Sequence, residues 1–124
     1  MSESRRPNPA VIGSPDDRVR YEAALATSRQ VLRAVEPDHE LYYQRTTTAS
    51  GPLTVGERVA LAQACDRIAD ACDLAALAWE DYRDDLGLGR AQRDAARRWR
   101  QEAELQRAVA VIAPAHERGD PFAA

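Results

Sequence analysis

The most reactive side chains in this sequence are few and stand far apart along the chain. The two histidines, His39 and His116, have acidic neighbours, but neither has a second ligand four residues away, the spacing that places two metal ligands on one helix face. No spacing indicates a Ser/His/Asp or Cys/His nucleophile, and Gly87-Leu88-Gly89 lacks the third glycine and the preceding strand of a nucleotide-binding loop. We therefore expect a protein that is not an enzyme and that binds no cofactor and no metal.

The two cysteines, Cys65 and Cys72, lie two turns apart in a stretch with helical periodicity. Two turns separate their Cα atoms by about 10 Å, which is beyond the reach of a disulfide. No histidine or carboxylate shares their face, so a metal pair is not predicted. We expect two small buried thiols.

These cysteines belong to the strongest pattern in the chain, a helix predicted from Thr54 to Leu86. Thr54 and Glu57 have the pattern of a capping box at its start, and Gly87 predicts its end. The apolar residues fall in one sector about 120° wide, typical of a stripe that faces a protein core: Leu61, Cys65, Ile68, Cys72, Ala75, Ala76, Trp79, Tyr82 and Leu86. Because helices in proteins gain most of their stability by packing such a face, other helices must cover the stripe.

A first helix is predicted before this long one. Ser14-Pro15-Asp16-Asp17 has the residue types of a helix start. The helix is expected to run to about Glu36, where Pro37 stops it. Residues 38–52 are predicted as a connection in which Leu41, Tyr42 and Tyr43 form a short helical turn or pack over the end of the bundle, and residues 46–52 form a loop. A connection of this length in a small domain is either mobile or functional.

A third helix is predicted from Arg90 to Ala113. The short link before it requires the chain to run back antiparallel to the long helix. The predicted fold is therefore all-α, an antiparallel three-helix bundle with a long central helix. Its parts are a flexible arm at residues 1–13, a helical bundle domain at 14–113 and a disordered tail at 114–124.

Composition excludes several functional classes. The net charge is −3 with a pI near 5.4, so a general coat for nucleic acid or an anionic membrane is not supported. All 17 basic residues are arginines. No apolar run approaches the roughly 18 residues of a membrane span, and no signal-peptide core follows the N-terminus. We expect a cytoplasmic protein with no membrane partner.

The long helix also has a second face that a lone bundle does not explain. Val59 and Leu77 project into a sector of carboxylates, with Leu74 at its edge. An apolar seam with a charged rim is typical of a helix-mediated contact. We therefore predict a protein interface at this face, formed by Val59, Leu77, Asp66, Asp70, Asp73 and Glu80.

The third helix offers an alternative, because arginines line its outer side: Arg90, Arg93, Arg97 and Arg100. The stretch from Ala75 to Trp99 loosely resembles a helix-turn-helix, but Arg83 and Arg93 occupy positions where that motif has small or apolar residues. The first hypothesis is a small non-enzymatic helical interaction module, with a regulatory, adaptor or assembly role, that binds a protein partner or itself as a homo-oligomer. The second is a nucleic-acid-binding regulator that uses the arginines. In a homodimer, the acidic face of one chain would pair with the arginines of the other.

Overall fold

Four helices make up the chain where the computed structural model describes it, at residues 14–47, 51–83 and 87–112. They are α1 (Pro15–Arg33), α2 (Glu36–Thr47), α3 (Val55–Tyr82) and α4 (Leu88–Ile112). The all-α prediction is confirmed across these ranges. None of the described helices is long and apolar enough to cross a membrane. The predicted arm, the whole of the predicted tail, and residues 48–50, 84–86 and 113 fall outside the described residues.

The prediction of three helices is wrong, because the predicted first helix is broken and α2 occupies much of the predicted loop. Ser14 caps α1 as expected, with its hydroxyl accepting a hydrogen bond from the Asp17 amide at 3.1 Å. Pro37 does not stop a helix here but lies in the first turn of α2. The amide that proline lacks has no partner inside a helix at that position. The predicted first helix is therefore interrupted before Pro37, at residues 34–35 between α1 and α2.

The central helix, α3, packs against each of the others. Thr54 and Glu57 form both hydrogen bonds of the predicted capping box. Arg67 donates two hydrogen bonds to Asp38 of α2, at 2.9 and 2.6 Å, and Arg45 of α2 pairs with Glu57 at 3.1 Å. Later residues of α2 thus meet earlier residues of α3, so these two helices are antiparallel.

Helix α1 runs in the same direction as α2, antiparallel to α3. Near its start, Asp17 accepts a hydrogen bond from the hydroxyl of Tyr82, at the far end of α3, at 2.8 Å. Helices α1 and α2 therefore follow one another along α3, with α1 over its C-terminal half and α2 over its N-terminal half. The bundle keeps the three columns that the sequence predicts, but one column consists of two helices.

The predicted core stripe of α3 is buried at every position that the structure describes. Cys65 and Cys72 are free and buried, as predicted. Trp79 packs with Ala24 and Tyr82 under α1, and Trp99 of α4 packs partly buried against core residues of α3. The end of α3 differs from the prediction, because the helix ends at Tyr82. Gly87, with φ +73°, accepts the first amide hydrogen bond of α4 through its carbonyl.

Helices α3 and α4 meet through small side chains repeated every seven residues. Ala69 packs in a cluster with Ala96, and Ala62 in another with Ala103. In the same register, Gly89 lies over Ala76, and a Cβ atom at Gly89 would stand 3.3 Å from the Ala76 carbonyl oxygen. Because alanine and glycine hold no bulk between the helices, the two backbones approach closely.

Candidate functional site: the α3–α4 face

The carboxylates predicted to form an acidic surface are paired with arginines of the same chain. This corrects the expectation that the acidic and basic faces point outward separately. The contacts that join them form a charge ladder between the two helices: Asp66 with Arg107, Asp70 with Arg100, Asp73 with Arg93 and Arg100, and Glu80 with Arg93.

The ladder follows from the sequence spacing. Asp66, Asp73 and Glu80 stand seven residues apart on α3, and their arginine partners stand seven apart on α4, at 107, 100 and 93. In antiparallel helices, each step of two turns back along one helix matches two turns forward along the other. The charged side chains therefore flank the alanine seam at every second turn.

Arg93 is the most engaged member of the ladder. Its Nε and one terminal nitrogen donate to the two oxygens of Glu80, at 3.1 and 2.9 Å, and its other terminal nitrogen donates to Asp73 at 3.0 Å. The bond from Arg93 lowers the pKa of Glu80. Burial alone would raise the pKa of Asp73, but hydrogen bonds from Arg100 and Arg93 outweigh it and leave that pKa lowered. Both carboxylates are thus held in their charged form.

This pairing bears on the arginines predicted to bind nucleic acid. Arg93 and Arg100 are held by the ladder, and Arg97 pairs with Asp94 on its own helix at 3.4 Å. Arg90 is exposed and forms no ion pair with the described residues. The four arginines therefore do not form one free basic stripe, although their use by a nucleic acid stays a prediction.

The apolar residues predicted at the interface do not form one seam. Val59 and Leu77 lie 18 positions apart on α3, which is about 27 Å along a helix. Leu74, predicted at the edge of this face, instead lies one turn from Leu77, and each of these two leucines is 52% exposed. The exposed leucines therefore form a Leu74–Leu77 patch at the C-terminal half of α3, and Val59 lies too far along the helix to belong to it.

A groove of about 590 Å³ opens beside this patch, between the end of α3 and the start of α4. Its lining brings together residues from both predicted sets: Leu77 and Glu80 with Arg90, Arg93 and Arg97. Gly89 also lines it. Glycine at this position extends the seven-residue series of small residues in α4, and that series was the sequence signal for it.

No group of three or more His, Cys, Asp or Glu side chains in the described residues is placed to hold a metal ion. Burial raises the pKa of the Cys65 thiol to about 12, so this thiol is protonated at neutral pH. His39 lies on α2 and not in the predicted loop, while His116 falls outside the described residues. What the face offers is an apolar patch beside a groove with charges of both signs.

Comparisons with family models, curated proteins and solved structures found no match to this chain.

Proposed function

We propose that this protein is a small non-enzymatic interaction module, and that it associates with a second copy of itself through the α3–α4 face. The observation that carries the proposal is the Leu74–Leu77 patch. The remaining leucine and the isoleucine of α3, Leu61 and Ile68, are fully buried, whereas Leu74 and Leu77 are half-exposed one turn apart. A second surface that covers them would remove apolar area from water.

The size of this contribution is modest. Burying a leucine side chain completely contributes about 1.5–3 kcal/mol, so covering the exposed half of one contributes roughly 1 kcal/mol. A two-fold dimer covers four such halves, roughly 4 kcal/mol, against the entropy lost on association. The leucines alone do not exceed that cost, so the polar and apolar surface around the patch must also contribute, and the association depends on protein concentration.

The charges favour a second copy as the partner. The groove beside the patch is lined by three carboxylates and three arginines, Glu80, Asp81 and Asp94 with Arg90, Arg93 and Arg97. A surface with both signs is complementary to itself across a two-fold axis. Asp81 and Arg90 form no ion pair among the described residues, so each is available to the opposite charge of the second chain. Such pairs orient the contact more than they strengthen it.

The experiment measures solution mass by light scattering over a concentration series at low and high salt. Wild type is expected to dimerise, and Leu77→Asp to remain monomeric with an unchanged far-UV spectrum, because Leu77 points away from the core. Leu105→Asp is the matched control, since Leu105 is 54% exposed on α4 outside this groove. A wild type that is monomeric at tens of micromolar in low salt would contradict self-association.

A charge exchange tests the two-fold arrangement itself. Arg90→Asp is expected to weaken the dimer, because it places two carboxylates opposite each other. The double variant Arg90→Asp/Asp81→Arg restores opposite signs and is expected to recover the wild-type mass. No recovery would contradict the proposed pairing of these two residues across the axis.

A further inference from the structure

A second groove, of about 750 Å³, lies on a different side of the bundle, along one flank of α2. It shares no lining residue with the α3–α4 groove. Its wall is aromatic, formed by His39, Tyr42 and Tyr43 of α2 and Trp99 of α4. Tyr42 and Trp99 also pack against the core with part of their surface, but the proposed self-association does not account for the groove.

The aromatic wall is held in place by ring contacts and a hydrogen bond. His39 and Tyr42 stand nearly perpendicular to the ring of Trp99, with centroids 5.3 and 5.1 Å away. The hydroxyl of Tyr42 donates to Glu102 at 2.7 Å, and Gln106 donates to the same carboxylate oxygen at 3.0 Å. The rings are therefore fixed before any ligand arrives, which reduces the entropy cost of binding.

Tyr43 differs from these rings because it is 64% exposed and forms no ring contact among the described residues. It lies next to Tyr42 in the sequence and lines the same groove. A large aromatic ring exposed at the edge of an ordered aromatic wall offers a free face to a ligand. Its negative quadrupole favours a cation there.

The charges of this groove have one sign. Glu36 and Glu40 lie one turn apart on its rim, and no arginine lines it. Neither carboxylate forms an ion pair among the described residues, although Glu40 accepts a hydrogen bond from Gln44 at 3.3 Å. In contrast, Asp38, the other acidic residue at the start of α2, faces α3 and is paired with Arg67. The electrostatic complement of the rim is therefore a positive charge.

We propose that this groove binds the guanidinium group of an arginine side chain presented by a peptide segment of a partner protein. A guanidinium is planar, stacks on aromatic faces and is more weakly hydrated than an ammonium group, so it suits an aromatic wall with a carboxylate rim. Glu36 and Glu40 pair with its nitrogens, and the ring of Tyr43 covers its face. This site is independent of the α3–α4 face.

The experiment titrates the full chain with the capped tripeptide Gly-Arg-Gly and follows the two indole N–H resonances by NMR. The Trp99 resonance is expected to shift with saturation, whereas that of Trp79, buried under α1, stays fixed as an internal reference. The same tripeptide with citrulline in place of arginine keeps the shape and loses the charge. It is expected to bind roughly tenfold more weakly. Equal affinity for both peptides would overturn the proposal.

Variants test the named residues. Glu36→Gln/Glu40→Gln is expected to weaken arginine binding by roughly fivefold to tenfold, and Tyr43→Ala by about threefold to fivefold. All three positions are exposed, so the changes leave the fold intact. Glu22→Gln, an exposed glutamate on α1, is the matched control and should bind as wild type does. Unchanged affinity in the double variant refutes the carboxylate role, and equal affinity for a lysine tripeptide refutes the assignment to guanidinium.

Discussion

Replacing Gly89 with alanine tests the close approach of α3 and α4 on which the α3–α4 face depends. A Cβ atom at this position would lie 2.7 Å from Cγ of Glu80 and 3.3 Å from the carbonyl oxygen of Ala76. The backbone oxygen is fixed by its own helix, and Glu80 is held by two hydrogen bonds from Arg93. Neither neighbour moves away freely, so the helices must separate or Glu80 must leave Arg93.

The expected magnitude is a balance of two effects. Alanine favours a helix over glycine by about 0.5–1 kcal/mol. Adding a methyl group to a well-packed contact costs about 1–3 kcal/mol, and displacing Glu80 from a half-exposed ion pair adds roughly 0–1 kcal/mol. Gly89→Ala is therefore expected to lower the free energy of unfolding by roughly 1–2 kcal/mol.

The chain supplies a matched control in Gly56. Gly56 and Gly89 are each the second residue of a helix, but a Cβ at Gly56 would meet only the Thr54 hydroxyl oxygen, at 4.0 Å. Gly56→Ala should therefore show the helix gain without the packing cost and stabilise by about 0.5–1 kcal/mol. Urea unfolding followed by far-UV circular dichroism measures both variants.

A double-mutant cycle separates the two contacts at Gly89. In a Glu80→Ala background the 2.7 Å contact disappears, so Gly89→Ala should cost less than it does in wild type. Equal stabilisation by Gly56→Ala and Gly89→Ala would refute the close packing of α4 on α3. The groove lined by Gly89 would then need a different explanation.

Two further predictions concern the charge ladder. The folded-state pKa values of Asp73 and Glu80 are lowered, so their stabilising effect is complete above their ordinary pKa values near 4 and is lost as the pH falls through the lowered values. Urea unfolding across acid pH should show this loss of stability in wild type and a smaller loss in Glu80→Gln. An identical acid profile for the two proteins would contradict the prediction. Arg93 and Arg100 are already paired, so no shift in the electrophoretic mobility of duplex or single-stranded nucleic acid is expected at low salt. The nucleic-acid hypothesis would instead be supported by a mobility shift that Arg93→Glu/Arg97→Glu abolishes. The logarithm of the affinity should then fall with the logarithm of the salt concentration by about 0.9 per phosphate.

The long helix was predictable because one signal repeats over many turns. Its buried stripe runs from Leu61 to Tyr82 without a polar interruption, and the capping box marks its first residue. Along this helix the local sequence signals and the tertiary packing agree. Its end was less predictable, since Gly87 is compatible both with closing one helix and with preceding the next.

The sequence predicted at most a short turn where α2 lies, for two physical reasons. Helix α2 has no fully buried residue, so its apolar periodicity is weak, and its only half-buried apolar residues are Leu41 and Tyr42. Pro37 is also ambiguous, because proline ends a helix that reaches it but is favoured in the first turn of a new one. Position relative to the chain's other helices decides between these outcomes, and a single sequence does not contain it.

The charge ladder was within reach of the sequence. Glu80 and Arg93 lie at nearly equal distances from the turn at Gly87, as do the next pairs outward, Asp73 with Arg100 and Asp66 with Arg107. An antiparallel hairpin brings such residues opposite each other once its turn is known. The sequence does not give the rotation of each helix about its own axis. The same spacing is compatible with these residues facing one another or facing apart.

The rotation of the helices about their axes also determines which surfaces remain exposed to solvent. Helices α1 and α2 take one flank of α3 and α4 takes another, with its arginines closing over the carboxylates at their shared edge. Two of the surfaces that remain uncovered in the described residues have a specific chemistry: two leucines beside a groove with charges of both signs at one end of α3, and an aromatic wall with carboxylates on α2. Because the two surfaces share no residue, Leu77→Asp should leave arginine binding intact and Tyr43→Ala should leave the dimer intact. A variant that abolished both would point to unfolding, so each surface serves as the folding control for the other.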